Sequence, residues 1–211
     1  VTANVGTYYG YKSYEVTSGS ILQLNTKGPT ASIDQGGVIK LLTPAATASA
    51  CVAMEAGYGN GGSFQINGNT KPKCYFECRI QYGNVTGCDS FVGLLEKGGA
   101  ANNFLFNTSD VIQQKSFLGF YTLTGAPTSI KGAYANNGAA AVILGSGTVP
   151  AAATTWTKLG FVYNPDEQNT DRFKMYQDGV LLGQLTDCTV AAFPPADPLT
   201  LAIISQHAPT G

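Results

Sequence analysis

The amino-acid sequence predicts an all-β protein built as a two-sheet antiparallel β-sandwich. Composition gives the first indication, because only 12% of the 211 residues are charged and 26 residues are glycine. Long helices use mainly Glu, Lys, Arg and Leu, so this composition favours strands and turns. The residue pattern gives the second indication, since no stretch long enough for a helix has apolar positions at helical spacing.

Short alternating segments recur along the chain, separated by clusters of Gly, Pro, Asn and Asp. A single open sheet rarely holds more than about ten strands, so this many segments indicates packed sheets. We expect one domain spanning 1–211, in which 1–35 form an arm or pack on a neighbouring subunit. The predicted strands are Ser20–Leu24, Gly37–Thr43, Cys51–Ala56, Ser63–Ile66, Lys73–Tyr82, Ser90–Glu96, Ser116–Leu123, Thr128–Tyr134, Ala140–Leu144, Thr155–Tyr163, Arg172–Gln177, Val180–Leu185 and Leu199–Ser205.

The clearest local signal is a hairpin within Arg172–Leu182. Asp178 and Gly179 stand between two alternating segments, and this dipeptide readily adopts the positive φ angles of a tight hairpin turn. The pattern predicts a structural role for both residues and indicates no chemistry.

The chain contains five cysteines at irregular spacing. Cys74 and Cys78 lie on one predicted strand, where residues four apart share a face but stand about 13 Å apart. That separation is too large for a disulfide or for a shared zinc ion. We therefore expect small core residues beside Phe76 and Ile80, while a disulfide among the other cysteines stays open.

Charge and hydropathy bear on the class of partner. The net charge is −1, with 12 basic and 13 acidic residues and no run of either sign. Nucleic-acid binding usually leaves a basic stripe, so we expect no nucleic-acid partner. The apolar stretches, such as 139–145, are too short to span a bilayer, and we expect no membrane partner. A surface with so few charges suits a protein that lives inside an assembly.

Motifs for a cofactor or a nucleophile are not found. Residues 57–62 match the dinucleotide fingerprint in letters, but a strand-like segment follows where that site needs a helix. The only histidine, His207, lies outside any nucleophile motif. We expect no cofactor.

Acidic residues offer no assembled catalytic or metal site. Glycoside hydrolysis needs two carboxyl groups about 5–9 Å apart, and no predicted strand carries such a pair on one face. A pair assembled from different strands stays open. Asp166, Glu167, Asn169 and Asp171 fit no EF-hand spacing and favour a hydrated loop. We therefore expect no metal, no catalytic residue and no enzyme activity.

Glu77 and Arg79 are the candidate ligand-contacting residues. They stand two residues apart on one strand face, about 6–7 Å from each other at the backbone. A structural ion pair is the first interpretation, and a pair that faces a ligand is the alternative.

Three parts of the chain carry a family resemblance. Tyr75–Ile80 resembles an aromatic-Phe-Glu-x-Arg strand, and Ser90–Glu96 resembles the strand that follows it. Trp156–Phe161 with Phe173–Gly179 resembles a Trp strand and an aromatic-x-x-Asp-Gly hairpin. Together they are similar to concanavalin A-like jelly-roll domains of the laminin-G type, as found in phage structural proteins. The structural residues within these parts are Phe76, Cys78, Trp156, Asp178 and Gly179.

The resemblance covers roughly residues 36–205 and implies two antiparallel sheets packed face to face. It leads us to predict a virion structural protein, made in the host cytoplasm, that decorates the capsid or another part of the particle surface. The expected partners are the major capsid protein, or another virion protein, and further copies of the chain, with a trimer suited to local threefold positions. A lectin-like adhesion module with a glycan ligand is the alternative, and a glycoside hydrolase is the least favoured.

Overall fold

The computed structural model describes residues 4–8, 11–15, 21–25, 38–42, 51–56, 64–66, 73–83, 87–99, 105, 112–151, 155–167, 172–194 and 198–207. For the strands before residue 53, and for residues 56 and 207, only the backbone is described. The described strands are β1 (Asn4–Tyr8), β2 (Tyr11–Glu15), β3 (Ile21–Asn25), β4 (Val38–Leu42), β5 (Cys51–Ala56), β6 (Phe64–Gln65), β7 (Cys74–Gln81), β8 (Cys88–Glu96), β9 (Phe117–Thr122), β10 (Ser129–Ala135), β11 (Val142–Thr148), β12 (Trp156–Tyr163), β13 (Phe173–Gln177), β14 (Val180–Leu185) and β15 (Pro198–His207).

The strands form two main antiparallel sheets and one separate pair. The larger sheet has nine strands in the order β1-β2-β5-β15-β8-β9-β10-β11, with β6 also beside β15. The smaller sheet has four strands in the order β14-β13-β12-β7, and β3 pairs with β4. This architecture confirms the predicted all-β antiparallel sandwich. Among the described residues, no helix is long and apolar enough to cross a membrane.

The main core lies between the two sheets and is rich in aromatic rings. Phe161, Phe173 and Tyr163 of the smaller sheet are fully buried, as is Leu118 of the larger sheet. The Phe76 ring stacks on Phe161 with ring centroids 5.0 Å apart. Burying a side chain of this size contributes about 1.5–3 kcal/mol, so this cluster is a major source of stability.

The opposite face of the larger sheet is buried as well. On β8, Val92 and Leu94 point into the main core, whereas Phe91 and Leu95 point the other way. The side chains on that far side form a second cluster, which comprises Ala53, Phe91, Leu95, Leu105, Ile112, Phe117, Tyr121, Leu123, Ala133, Ala135, Ala202 and Ile204. The larger sheet is therefore covered on both sides at its centre, so ligand access to that part is blocked.

Most predicted strands are present close to their expected bounds, and the differences lie in β11 and in the N-terminal segment. β11 runs from Val142 to Thr148, beyond the predicted Ala140–Leu144. Its second half, Gly145-Ser146-Gly147-Thr148, looks like a turn in sequence, but small residues are needed there because β14 packs closely against it.

The N-terminal segment contributes strands that the alternation did not predict. β1 pairs with β2, and β2 pairs with β5 in the larger sheet. These strands fall inside 1–35, for which we expected an arm or a contact with a neighbour. The assignment of the whole chain to one domain stays a prediction.

The predicted hairpin is confirmed. β13 and β14 are antiparallel, and their turn residues Asp178 and Gly179 have φ angles of 50° and 83°. The sequence motif thus fixes the position of the tightest turn in the smaller sheet.

Candidate ligand-binding site

The smaller sheet presents an exposed face, which we call the outer face. On β7 every second side chain enters the core, so that Phe76 and Cys78 point inward. Tyr75, Glu77 and Arg79 therefore point to solvent, as strand geometry requires. The outer face carries Tyr75, Glu77, Arg79 and Gln81 on β7, Trp156, Lys158, Gly160 and Val162 on β12, and Lys174 and Tyr176 on β13.

Glu77 is the centre of a polar network on this face. The Tyr75 hydroxyl donates to Glu77 Oε2 at 2.6 Å, and Lys158 Nζ lies 3.4 Å from the same oxygen. The hydrogen bond from Tyr75 and the charge of Lys158 lower the pKa of the Glu77 carboxyl, while the same hydrogen bond raises the pKa of Tyr75. The network keeps Glu77 ionised and orients the Tyr75 side chain.

Arg79 has a different partner. Its guanidinium carbon lies 5.7 Å from the centroid of the Trp156 ring, within the range of a cation–π contact. The structure thus pairs Glu77 with Lys158 and places Arg79 over Trp156, rather than joining Glu77 to Arg79. Both contacts join diagonal neighbours across the two strands, since Glu77 is opposite Gly160 and Arg79 is opposite Lys158 in the register, and long side chains reach across this spacing.

A gap in the layer of side chains lies at the middle of the face. Gly160 stands between Glu77 on one side and Tyr176 on the other in the strand register. A Cβ atom at this position would lie 2.9 Å from the Phe76 carbonyl oxygen, so a larger residue fits poorly. No signal in the sequence identifies this gap, because glycine occurs in strands for several reasons and only the register shows which neighbours it separates.

Asp178 holds the hairpin against the strand that carries the gap. Its Oδ1 accepts from the Lys158 backbone N–H at 2.7 Å, and its Oδ2 accepts from the Thr157 hydroxyl at 2.8 Å. The Asp178 N–H donates to the Lys158 carbonyl at 2.8 Å. A residue with a predicted structural role therefore fixes the backbone beneath Lys158.

The predicted structural residues of β7 lie directly under the outer face. Phe76 packs in the aromatic core, and Cys78 is a free thiol whose pKa burial raises to about 12. Cys74 is also free, and burial raises its pKa. The prediction of small core residues is confirmed for both cysteines, which pack against the main core on the inner side of the sheet.

The acidic loop after β12 pairs with lysines. Asp166 lies 3.2 Å from Lys73, and Glu167 lies 3.5 Å from Lys174. Asn169 and Asp171 lie outside the described residues, as do residues 57–62 and the side chain of His207. Within the described ranges, no group of three or more His, Cys, Asp or Glu residues could hold a metal ion.

The buried carboxylates of the larger sheet bind backbone groups. Glu55 accepts from the Gly98 N–H at 3.2 Å, and Asp89 accepts from the Thr124 N–H at 2.6 Å. These contacts satisfy N–H groups where strands of the larger sheet end. We assign both carboxylates a structural role.

Comparison with known proteins identifies the fold. No protein-family model and no curated protein matches the chain. Among solved structures, it is similar to the potassium-bound carbohydrate recognition domain of Emp46p, at 9% identity and a TM-score of 0.56 over 94% of this chain and 82% of that one. It is also similar to the apo Crh5 transglycosylase, at 17% identity and a TM-score of 0.48 over 97% and 72%. A third similar structure is SCLam, a non-specific endo-β-1,3(4)-glucanase from family GH16, at 12% identity and a TM-score of 0.48 over 98% of this chain and 64% of that one.

The likeness to the Emp46p domain supports the jelly-roll β-sandwich fold that the sequence resemblance implied. The comparisons correct one prediction. The expectation that the chain is not an enzyme is contradicted, since glycoside hydrolases and a transglycosylase are among the solved structures similar to this chain. The sequence shows no acid pair along a single predicted strand and no nucleophile motif, and neither observation excludes a pair assembled from neighbouring strands. The association with phage particles stays a prediction.

Proposed function

We propose that this protein is a carbohydrate-binding module whose ligand lies on the outer face. The observation that carries the proposal is the ordered Tyr75–Glu77–Lys158 network beside the gap at Gly160. Sugar sites combine an aromatic surface with a few oriented polar groups, and this part of the molecule offers both.

The chemistry of the face suits a pyranose ring. Tyr75 is 66% exposed, so its ring is open to an apolar sugar face. Glu77 accepts hydrogen bonds from sugar hydroxyls, and Lys158 donates to them. The gap at Gly160 gives a ring room to sit between Glu77 and Tyr176. Because the network already holds its side chains in place, binding sacrifices less side-chain entropy.

The comparison with the Emp46p carbohydrate recognition domain supports this function at the level of the fold. Support for the location comes from burial instead. The larger sheet is covered at its centre by the second cluster, whereas the outer face of the smaller sheet is exposed.

The test is a glycan array followed by calorimetry with purified protein. We expect a defined class of hits, and we expect Tyr75→Ala or Tyr176→Ala to weaken binding about tenfold or more, as loss of a sugar-stacking ring costs about 1.4 kcal/mol or more. Gln184→Ala is the matched control, since Gln184 is exposed on β14 at the edge of the same sheet. An array without hits, or hits that survive both tyrosine substitutions, would contradict the proposal.

A second candidate is the virion-surface role that the sequence resemblance implied. What supports it is an apolar tip on the β13–β14 hairpin, where Val180 is 67% exposed and Leu181 is 45% exposed. Such a tip suits contacts with a capsid protein or with further copies of the chain. Counting copies in purified virions tests the role, and absence of the protein from particles would contradict both the role and the virion location.

A further inference from the structure

We infer that the ligand of the outer face is an anionic glycan, and that Arg79 binds its carboxylate or sulfate group with Trp156 behind it. This inference rests on the proposed carbohydrate-binding function and names the chemical class of the ligand.

The balance of charge on the outer face supports the inference. Glu77 lies 3.4 Å from Lys158, and Glu167 lies 3.5 Å from Lys174, so these charges offset one another. Among the described residues, the salt bridges do not include Arg79. The face therefore carries an excess positive charge centred on Arg79, which an anionic group complements.

The contact with Trp156 orients the Arg79 guanidinium for binding an anionic group. An aromatic ring behind the guanidinium restrains its plane and leaves N–H groups on its edge free to donate. A planar guanidinium binds carboxylate or sulfate oxygens through two parallel hydrogen bonds. Gln81, which is opposite Trp156 in the register and exposed, offers a further amide donor beside the same position.

The spacing of the face directs the acidic group toward Arg79. Glu77 and Arg79 are i and i+2 on β7, about 6–7 Å apart at the backbone, which is comparable with the width of one sugar residue. Gly160 is opposite Glu77 and Lys158 is opposite Arg79 in the register, so a sugar in the gap would have Glu77 beside it and the row formed by Arg79 and Lys158 at one end. Because the Glu77 carboxylate repels an anion, the acidic substituent is favoured at the Arg79 end.

Trp156 gives a direct readout, since the chain contains a single tryptophan. The probes are a uronic-acid oligosaccharide with its carboxyl-reduced counterpart, and a sulfated oligosaccharide with its desulfated counterpart. We expect the acidic member of at least one pair to change Trp156 fluorescence at about tenfold lower concentration, as two charge-assisted hydrogen bonds allow. This preference should weaken as sodium chloride is added.

Variants separate the role of Arg79 from general charge. Arg79→Ala should remove the preference for the acidic probe and retain binding of the neutral one, and Arg79→Lys should restore only part of it because lysine lacks the planar fork. Lys131→Gln is the matched control, because Lys131 lies 5.7 Å from the Tyr121 ring on the larger sheet. It should leave the preference unchanged.

The outcomes are distinguishable. Equal affinity for both members of each pair, or a preference that survives Arg79→Ala, overturns the anionic-ligand inference while carbohydrate binding stands. No fluorescence or calorimetric response to any acidic or neutral probe, together with an array without hits, overturns the proposed function itself.

Discussion

Glu77 and Tyr75 shift each other's titration in opposite directions, and the consequence for stability depends on pH. The pKa of Glu77 is below its ordinary value of 4.5 because Tyr75 donates a hydrogen bond to it and Lys158 attracts it. A carboxyl whose pKa is lowered by folding stabilises the folded state above its unfolded pKa, and this contribution is lost as the pH falls through the folded value.

We therefore expect Glu77→Gln to lower the free energy of unfolding at about pH 7 and to have less effect at a pH below the lowered pKa of Glu77, where protonation removes the charge from the wild-type carboxyl as well. Urea unfolding of both proteins at the two pH values measures this difference. Asp166→Asn is the control, because its ion pair with Lys73 is highly exposed and contributes little. An equal effect of Glu77→Gln at both pH values would refute the role of the ionised carboxylate.

At the residue scale, the alternation of β7 was enough to place Cys74 and Cys78 in the core and Glu77 and Arg79 on the surface. It could not identify Lys158 as the partner of Glu77. That contact depends on the register between β7 and β12, and residues some 80 positions apart carry no local signal for such a register.

At the scale of single elements, the hairpin of β13 and β14 is anchored to β12 by Asp178. Asp178→Ala removes acceptors for the Thr157 hydroxyl and the Lys158 N–H, and also puts alanine at a φ of 50°. We expect a loss of about 1–3 kcal/mol in the free energy of unfolding. Asp178→Asn should cost less, because asparagine tolerates this backbone conformation and keeps an acceptor.

Urea unfolding of both variants measures this effect, with Asp187→Ala as the comparison. The Asp187 carboxylate accepts hydrogen bonds from the N–H and the hydroxyl of Thr189, two residues along the chain. If Asp178→Ala costs no more than Asp187→Ala, then the long-range anchor contributes nothing beyond a local turn.

The approach of β11 to β14 is the second element-scale feature, and it requires glycines. A Cβ atom at Gly145 would overlap the Leu182 carbonyl oxygen, and one at Gly183 would overlap the Leu144 carbonyl oxygen. Because backbone atoms cannot move aside easily, we expect alanine at either position to cost about 2 kcal/mol or more.

Thermal unfolding checks this expectation, with Gly83→Ala as the matched control, since a Cβ atom there would meet nothing within 4 Å. That control should change stability by about 0.5 kcal/mol or less. The close approach also explains why the predicted strand ended at Leu144. Glycine normally indicates the end of a strand, and the sequence does not show that the edge strands β11 and β14 are in contact at these glycines.

At the scale of the whole molecule, the larger sheet lies between two hydrophobic clusters. Phe161 belongs to the core between the sheets, and Phe117 belongs to the second cluster; both are 0% exposed. If the clusters unfold as one unit, Phe161→Ala and Phe117→Ala should each cost about 3–5 kcal/mol and keep a single unfolding transition.

Calorimetry measures the number of transitions, and Gln184→Ala on the exposed side of β14 is the control that should leave the transition near that of the wild type. Two separate transitions in the Phe117→Ala protein would show that the second cluster is independent. The sequence predicted the sandwich and the core position of the inward side chains of β7, but not this cluster, because an uninterrupted apolar strand has the same pattern whatever covers its far side.

β15 lies between β5 and β8, although it follows both of them along the chain. Strands formed from residues 51–56 and 88–96 therefore have no shared neighbour until residues 198–207 have been synthesised. A nascent chain leaving the ribosome therefore cannot complete the larger sheet in the order of synthesis. The sheet is complete only when β15 pairs with both β5 and β8, which were synthesised much earlier. Such long-range pairing is slow, and the unpaired strands are exposed to aggregation and to chaperones in the meantime.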